Sequence, residues 1–508
     1  MNMISSKKIR FQQAYKEGNN FIPIFETWPA DLETPLTTWL KLAKENTNGV
    51  FLESVEGGEN VGRWSVVANQ PLWEAVCTGK ETLRKFRNGK TESEEGDVFE
   101  LLRKWTNQYK SHNLEQFPFL GQLYGSWGYE LINCIENSVP VHNLSENKLP
   151  YGAWMFFDQI IIYDQMKRCI TAIVYADLTK LEDSSIDDIY LQSLKKIDQI
   201  KNMMRIPLKE VDSLNWTDKK DLNMNITSNW LKEDFQEAVV QAKEFIKKGD
   251  IFQIVISQKF RTEVQSKPFD LYRSLRMTNP SPYMSFFDFG SWYLIGSSPE
   301  VMVKANRIKG NQIIASLRPI AGTRPRGIDF EEDSSLEKEL LNDPKEISEH
   351  VMLVDLGRND LGKVCEIGTL EVKDLMIIEK YSHVMHIVSE VQGILKKDKD
   401  IWDLLKASFP AGTVTGAPKI RAMQLINFLE REARGPYAGV YGSIDINGSL
   451  NTAITIRSMI VTPSSNGKYN VTVQAGAGVV ADSSPLNEYQ ETINKAKGIL
   501  MAISSLTS

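Results

Sequence analysis

Four glutamates in two short stretches are the residues best placed to do chemistry. In NDPKEISEHVMLVDLGRND, Asp343 stands at an N-cap position and Pro344 at the first helical position, so Glu346 and Glu349 fall at i and i+3 on one helix face. SSPLNEYQETINKAKGIL repeats the plan, with Ser484 as cap, Pro485 opening the helix, and Glu488 and Glu491 again at i and i+3. Each pair alone reads as a solvated helix face. If the two helices meet, four carboxylates raise one another's pKa values unless a cation neutralises them. Oxygen ligands with no Cys or His nearby select a hard ion, and Mg²⁺ takes one or two carboxylates, waters and a substrate oxygen. The implied substrate is an anion. Lys495, one turn beyond Glu491, would balance the cluster or reach that anion.

Other stretches could complete such a site. PIAGT (319–323) has the Pro319, Gly322 and Thr323 of a sharp turn that brings backbone to a ligand, yet Ala321 offers only a methyl group. FPAGTVTGAPKIRAMQLI places Gly412, Thr413 and Gly416 ahead of an amphipathic helix. Its spacing departs from the Gly-x4-Gly-Lys-Ser/Thr of nucleotide loops, which excludes that reading, while N–H groups at a helix start suit a carboxylate. VQAGAGVV ends a strand in Gly476 and Gly478, either as a tight turn or as backbone open to a ligand. Arg457 reads as lying inside the strand AITIRSMIV, where its guanidinium needs a carboxylate, structural or from substrate. His383 and His386 are structural, or proton carriers if they face a cleft. Glu300, after Pro299, reads by itself as a surface turn residue.

The elements that must position these residues follow from pattern. At 508 residues the chain exceeds one ordinary core, and we expect two large domains: 1–205, a polar linker at 206–227, and 228–505. Trp230, Leu231, Phe235, Val239, Ala242, Phe245 and Ile246 share one helical face, Gly249 ends that helix, and IFQIVISQKF reads as a strand. Asn447-Gly448 and Asn466-Gly467 lie between β-like runs as hairpin turns. The fold class is therefore α+β with antiparallel sheets rather than a doubly wound parallel fold. A formal charge of −6 with no long Lys/Arg run argues against nucleic acid. Four cysteines without CxxC pairing read as reduced core thiols. The N-terminus lacks an apolar core and no run is long enough to span a bilayer, so a cytoplasmic protein is expected.

Taken in order, IFQIVISQKF, NPSPYMSFFDFG, GSSPE, PIAGTRPRG, DPKEISEHVMLVDLGRND, YSHVMHIVSEVQG, FPAGTVTGAPKIRAMQLI and AGAGVVADSSPLNEYQETINKAKG resemble the motifs of the chorismate-utilising enzymes. They span about 228 to 505, and FLESVEGGENVGRWS extends the resemblance toward the N-terminus. The resemblance implies antiparallel sheets packed as a sandwich with helices outside, in two intertwined or adjoining domains. It makes Glu349 and Glu491 the Mg²⁺ carboxylates, with Glu346 and Glu488 supporting them through water. It places Gly322, Thr323 and Thr413 at the ring carboxylate of chorismate, and Tyr437, Arg457, Ala477 and Gly478 at the enolpyruvyl carboxylate. Glu300 corresponds to the acid that protonates the departing C4 hydroxyl, a role that needs a raised pKa in a closed site. His386 corresponds to the histidine needed when pyruvate is eliminated, Thr413 and Lys495 join Glu300 and His386 in the catalytic set, and Gln253 joins the substrate-binding residues.

Two positions discriminate among relatives. Isochorismate and salicylate synthases carry a water-activating lysine where this chain has Gln253. Aminodeoxychorismate synthases carry an attacking lysine where it has Ala321. What remains is ammonia adding at C2 followed by loss of pyruvate, which gives anthranilate. Amination without aromatisation and a non-catalytic sensor are the alternatives. No cysteine sits in a glutaminase elbow, so a separate glutamine amidotransferase subunit is implied, with two large and two small subunits as the expected assembly. FLESVEGGENVGRWS and NPSPYM resemble the segments that bind tryptophan as feedback inhibitor. They offer Glu53 and Ser54, within 51–65, and Asn279, Pro280 and Met284.

Overall fold

The computed structural model describes every residue except 1–2, 44–47, 55–61, 113, 115–116, 118–120, 143, 145–148, 180, 182–184, 209–212, 218–223, 309–311, 382–383 and 507–508. Local signals place many elements where expected. The Asn447-Gly448 turn, with Gly448 at φ 94°, joins antiparallel strands Val440–Ile444 and Leu450–Ile454. Asn466-Gly467 does the same between Ser458–Pro463 and Tyr469–Val479. Helix Lys232–Lys247 buries Phe235, Val239 and Ala242 and leads into strand Gln253–Val264. Leu231, expected on that buried face, is exposed because it is the N-cap residue and precedes the first turn.

Among the described residues the strands build two twelve-stranded sheets in which every pairing is antiparallel. The first runs from Phe21–Pro29 through Cys169–Asp177, Gln159–Asp164, Trp64–Asn69 and Gly49–Glu53. It continues through Tyr283–Asp288, Tyr293–Ser298, Ser458–Pro463 and Tyr469–Val479 to Gln253–Val264. The second runs from Ile320–Pro325 through Val384–Ile394, Ile313–Leu317, Val301–Arg307, Leu450–Ile454 and Val440–Ile444. It ends with Leu123–Trp127, Gly152–Phe156, Trp73–Cys77, Glu81–Phe86 and Thr91–Glu95. Both sheets thus draw strands from each side of 206–227: Met284 faces Glu53 in register, and Val440 faces Trp127. Side chains of the two sheets meet in a common core, where the rings of Phe21 and Phe156 lie 5.6 Å apart. The fold is α+β, as expected. Among the described residues no helix is long and apolar enough to cross a membrane.

Two of the crossings from one sheet to the other lie side by side. Pro299 and Glu300 link Tyr293–Ser298 to Val301–Arg307, and Thr455 to Arg457 link Leu450–Ile454 to Ser458–Pro463. Arg457 is therefore not inside a strand. Its φ of 50° is the left-handed bend of the crossing, which the apolar runs on both sides concealed.

PIAGT is not a turn either. It belongs to strand Ile320–Pro325, whose register against Val384–Ile394 slips between Ala321, opposite Ile387, and Thr323, opposite His386. Gly322 is the extra residue of that bulge, at φ 70°, and a Cβ there would stand 3.3 Å from Glu346 Oε2. Helix Pro344–Gly362 begins as expected, Asp343 accepting from the Lys345 N–H at 3.0 Å. Helix Pro485–Ser504 also opens on its proline, but Ser484 makes no capping bond.

Candidate active site

The two carboxylate pairs face a common region. Burial raises the Glu349 carboxyl above its ordinary pKa, the neighbouring Glu346 adds to that, and Gln253 opposes it. Gln253 Nε2 donates to Glu349 Oε1 at 3.3 Å. Glu346 accepts from Arg324 at 3.2 Å, a guanidinium that also holds Asp343 at 2.8 Å and Glu339 at 2.9 Å. On the other helix, burial raises Glu488, a Ser483 contact opposes it and Glu491 adds to it; Glu488 Oε2 is buried without a partner. Lys345 and Lys495 act on both Glu349 and Glu488, so the two helix starts share one electrostatic neighbourhood. Among the described residues no three carboxylate, imidazole or thiol groups form a ready-made metal cage.

Lys495 links the rest. Its Nζ pairs with Glu491 at 2.6 Å and donates to the Gly476 carbonyl at 3.0 Å, and its charge also reaches Glu300. Gly476, Ala477 and Gly478 lie on Tyr469–Val479, with Ala477 opposite Ile256 and Gly478 opposite Val255. A Cβ at Gly478 would be 2.9 Å from Gln253 Nε2, and one at Gly476 would be 2.6 Å from the Tyr437 hydroxyl. Glycine here lets the Gln253 and Tyr437 side chains lie against bare backbone. Burial pushes the Tyr437 hydroxyl up to about 12. Arg457 donates through Nη1 to the Lys495 carbonyl at 2.6 Å, and burial lowers its pKa while Tyr437 and Glu491 support its charge. Among the described residues no carboxylate forms an ion pair with it.

Glu300 and His386 are titratable groups of this region whose pKa values burial shifts. Burial pushes the Glu300 carboxyl up to about 7, against the opposing influence of Thr413 and Lys495. The buried Thr413 hydroxyl faces that carboxyl, short of a formed hydrogen bond, from the turn Gly412–Val414. His386 Nδ1 lies 2.9 Å from the Gly322 carbonyl and 3.1 Å from Thr323 Oγ1. A carbonyl only accepts, so Nδ1 carries the proton and Nε2 is left as the acceptor. Burial lowers the His386 pKa, the bond to the Gly322 carbonyl opposes that and Arg457 adds to it, so the net shift favours the neutral ring. His383 lies outside the described residues.

The carboxylate pairs, Lys495, Glu300, His386, Arg457, Tyr437 and the glycine-bearing strands thus lie in one region. The chain matches the chorismate binding enzymes over residues 52–501. It belongs to that family. Anthranilate synthase component 1 of Synechocystis is 50% identical over 99% of this chain and the whole of that protein. The protein of the same name from Acetivibrio thermocellus is 44% identical over 95% of both chains. Among solved structures, anthranilate synthase component I of Streptococcus pneumoniae superposes with a TM-score of 0.74 at 34% identity, covering 94% of this chain and 99% of that one. The menaquinone-specific isochorismate synthase of Escherichia coli shares the fold, with a TM-score of 0.69 at 17% identity over 98% of this chain and 99% of that one.

A second cluster lies apart from these residues in this chorismate binding enzyme. Glu53, buried on Gly49–Glu53 opposite Met284, accepts from Tyr272 at 2.7 Å and from Arg276, while its Oε2 and the adjacent Ser54 hydroxyl are buried and have no partner among the described residues. Asn279, which caps the end of helix Pro268–Thr278, donates to Ser297 at 3.3 Å and precedes Pro280. Residues 55–61 of the expected segment lie outside the described residues. Sequence reasoning missed Arg324, which holds Glu346, and Tyr381, whose ring stands edge-on 5.7 Å from His386. Neither carries a spacing signal that one sequence reveals.

Proposed function

We propose that this chain converts chorismate and ammonia into anthranilate, pyruvate and water, as the large component of a two-component enzyme. The observation that carries the reading is the pair of discriminating positions. Gln253 is an amide engaged with Glu349 and lying against Gly478, and Ala321 sits in a strand opposite Ile387. Neither supplies an amine to activate water or attack the ring, so a diffusing nucleophile is left to do so. The full-length similarity to proteins named anthranilate synthase component 1 supports the same conclusion.

The residues then take these parts. Tyr437, Arg457 and the backbone at Ala477 and Gly478 hold the enolpyruvyl carboxylate, which supplies the acid that Arg457 lacks. Gly322, Thr323 and Thr413 hold the ring carboxylate. As nitrogen bonds to C2, the C4–O bond breaks and Glu300 gives its proton to the hydroxyl, which leaves as water. The added nitrogen sheds its extra proton, which restores Glu300; His386 Nε2 then takes the C2 proton as the C3–O bond breaks, and the departing enolpyruvate takes up a proton at its methylene carbon to become pyruvate. Glu349 and Glu491, backed by Glu346 and Glu488, are the groups to hold Mg²⁺. The fit rests on the Glu488 oxygen, which has no partner among the described residues, and on the burial that raises Glu349 and Glu488. When bound, the ion would neutralise these groups together with the ring carboxylate.

Ammonia at neutral pH is mostly ammonium, which calls for a glutamine amidotransferase partner. Tryptophan is the expected inhibitor, its ammonium group answering the oxygens at Glu53 and Ser54 that have no partner among the described residues. The deciding experiment incubates the chain with chorismate, Mg²⁺ and ammonium and identifies the product by fluorescence and mass. A fluorescent product with the mass of anthranilate is expected. A non-fluorescent aminated diene would replace this reading with amination alone.

A further inference from the structure

We infer that Glu130, far from the motif-bearing residues in sequence, is a positioning residue that sets Tyr437 in the substrate site. The inference rests on Tyr437 contacting substrate, as proposed above. Glu130 is 2% exposed, in the turn Tyr129–Leu131 that follows strand Leu123–Trp127. Its Oε1 accepts the Arg434 N–H at 2.6 Å and its Oε2 the Gly435 N–H at 2.9 Å, while the Tyr129 N–H donates to the Gly435 carbonyl at 2.8 Å. Three bonds from one turn therefore fix the backbone two residues before Tyr437.

The side chain of Arg434 is locked as firmly. It donates to both oxygens of Glu430, at 2.9 and 2.7 Å, and to the carbonyls of Val414 at 2.7 Å and Val255 at 2.8 Å. Its guanidinium lies 4.8 Å from the Tyr129 ring centre and 5.6 Å from that of Tyr437. Val414 adjoins Thr413, and Val255 lies opposite Gly478, so this one side chain ties three walls of the site together. Beyond it, Ala438 adopts φ 63° and donates to Thr455 at 3.1 Å, which leaves the Tyr437 hydroxyl against Gly476.

The charge of Arg434 is answered by Glu430, and among the described residues no cation forms an ion pair with Glu130. A buried carboxylate without an ion pair costs stability. What it supplies here is two acceptors on one rigid plane, matched to two successive N–H groups. An amide in the same place keeps one acceptor and sets a donor against the other N–H.

Glu130→Gln tests this. The expected result is a roughly ten-fold rise in KM for chorismate with kcat within about two-fold, the loss of one charge-assisted hydrogen bond. In a Tyr437→Phe background, which itself raises KM, the same change should add less than about two-fold. Full multiplication of the two effects would overturn the inference, since independent sites add freely. If Tyr437→Phe leaves KM unchanged, the substrate-site reading fails first and the inference with it. Hydrogen exchange on the unaltered chain provides a check that does not depend on the variant folding. The Arg434 and Gly435 amides should be strongly protected, and exchange at the rate of an open surface loop would refute the clamp.

Discussion

Glu300 and Arg457 stand on neighbouring crossings between the two sheets, tied together through the backbone. The Ile454 N–H donates to the Glu300 carbonyl at 3.0 Å, and the Ser297 N–H donates to the Arg457 carbonyl at 3.1 Å. The acid and the cation are thus held by the ends of four strands rather than by mobile loops. Rigid placement of this kind suits groups that must meet a substrate at fixed points.

Glu300→Gln should abolish most turnover while stabilising the fold. An acid proton contributes about 10²–10⁴-fold to such a step, so kcat should fall by that range with KM little changed. In the folded chain Glu300 keeps its proton to about pH 7, against an ordinary 4.5. Folding therefore takes up a proton between those values, and stability falls as pH rises through that window. The amide escapes this. Its advantage in stability should be nil below pH 4.5 and greatest above 7, on the order of 1–3 kcal/mol, and should appear as a higher melting temperature. Melting curves at pH 4.5 and 8 measure it, and an equal difference at both would contradict the raised pKa.

Glu491→Gln should lose turnover by at least about 10²-fold, and wild-type turnover would sink the metal assignment. Glu488→Gln gives a readout without catalysis. Removing the partnerless buried oxygen should raise the melting temperature of the metal-free chain, because two like charges become one. The same change should weaken the melting shift produced by Mg²⁺. If Mg²⁺ shifts parent and variant alike, the ion is held elsewhere.

Much of this site was legible, and its gaps have a physical cause. Asp343 with Pro344, and Asn447 with Gly448, announce a helix start and a hairpin because the conformation is decided within four residues. Met284 pairs with Glu53 and Val440 with Trp127 across hundreds of residues, and nothing local in one sequence encodes such partners. Arg457 was misplaced for a related reason. Ile454 and Met459 are both buried strand residues, so the apolar pattern runs unbroken through a crossing whose only mark is backbone conformation.

Tryptophan at millimolar concentration should slow the parent chain, and Glu53→Gln should relieve the inhibition by about ten-fold or more in tryptophan concentration. Ser54→Ala should do so more weakly and at little cost in stability, since its hydroxyl has no partner to lose. Steady-state rates across a tryptophan series decide this. A parent rate that does not respond would remove the inhibitor site.

Ala321→Lys asks why the bulged strand carries a methyl group. Ala321 faces Ile387 in register, one residue before the Gly322 whose carbonyl orients His386 and whose missing Cβ admits Glu346. An amine introduced here would enter the space that ammonia must reach and would compete with it for the ring. The expected outcome is lower anthranilate output together with a chorismate-derived mass added to the chain, seen by mass spectrometry of the intact protein. A variant that makes anthranilate at the parental rate with no adduct would reduce Ala321 to packing. Selection of the nucleophile would then rest on Gln253 alone.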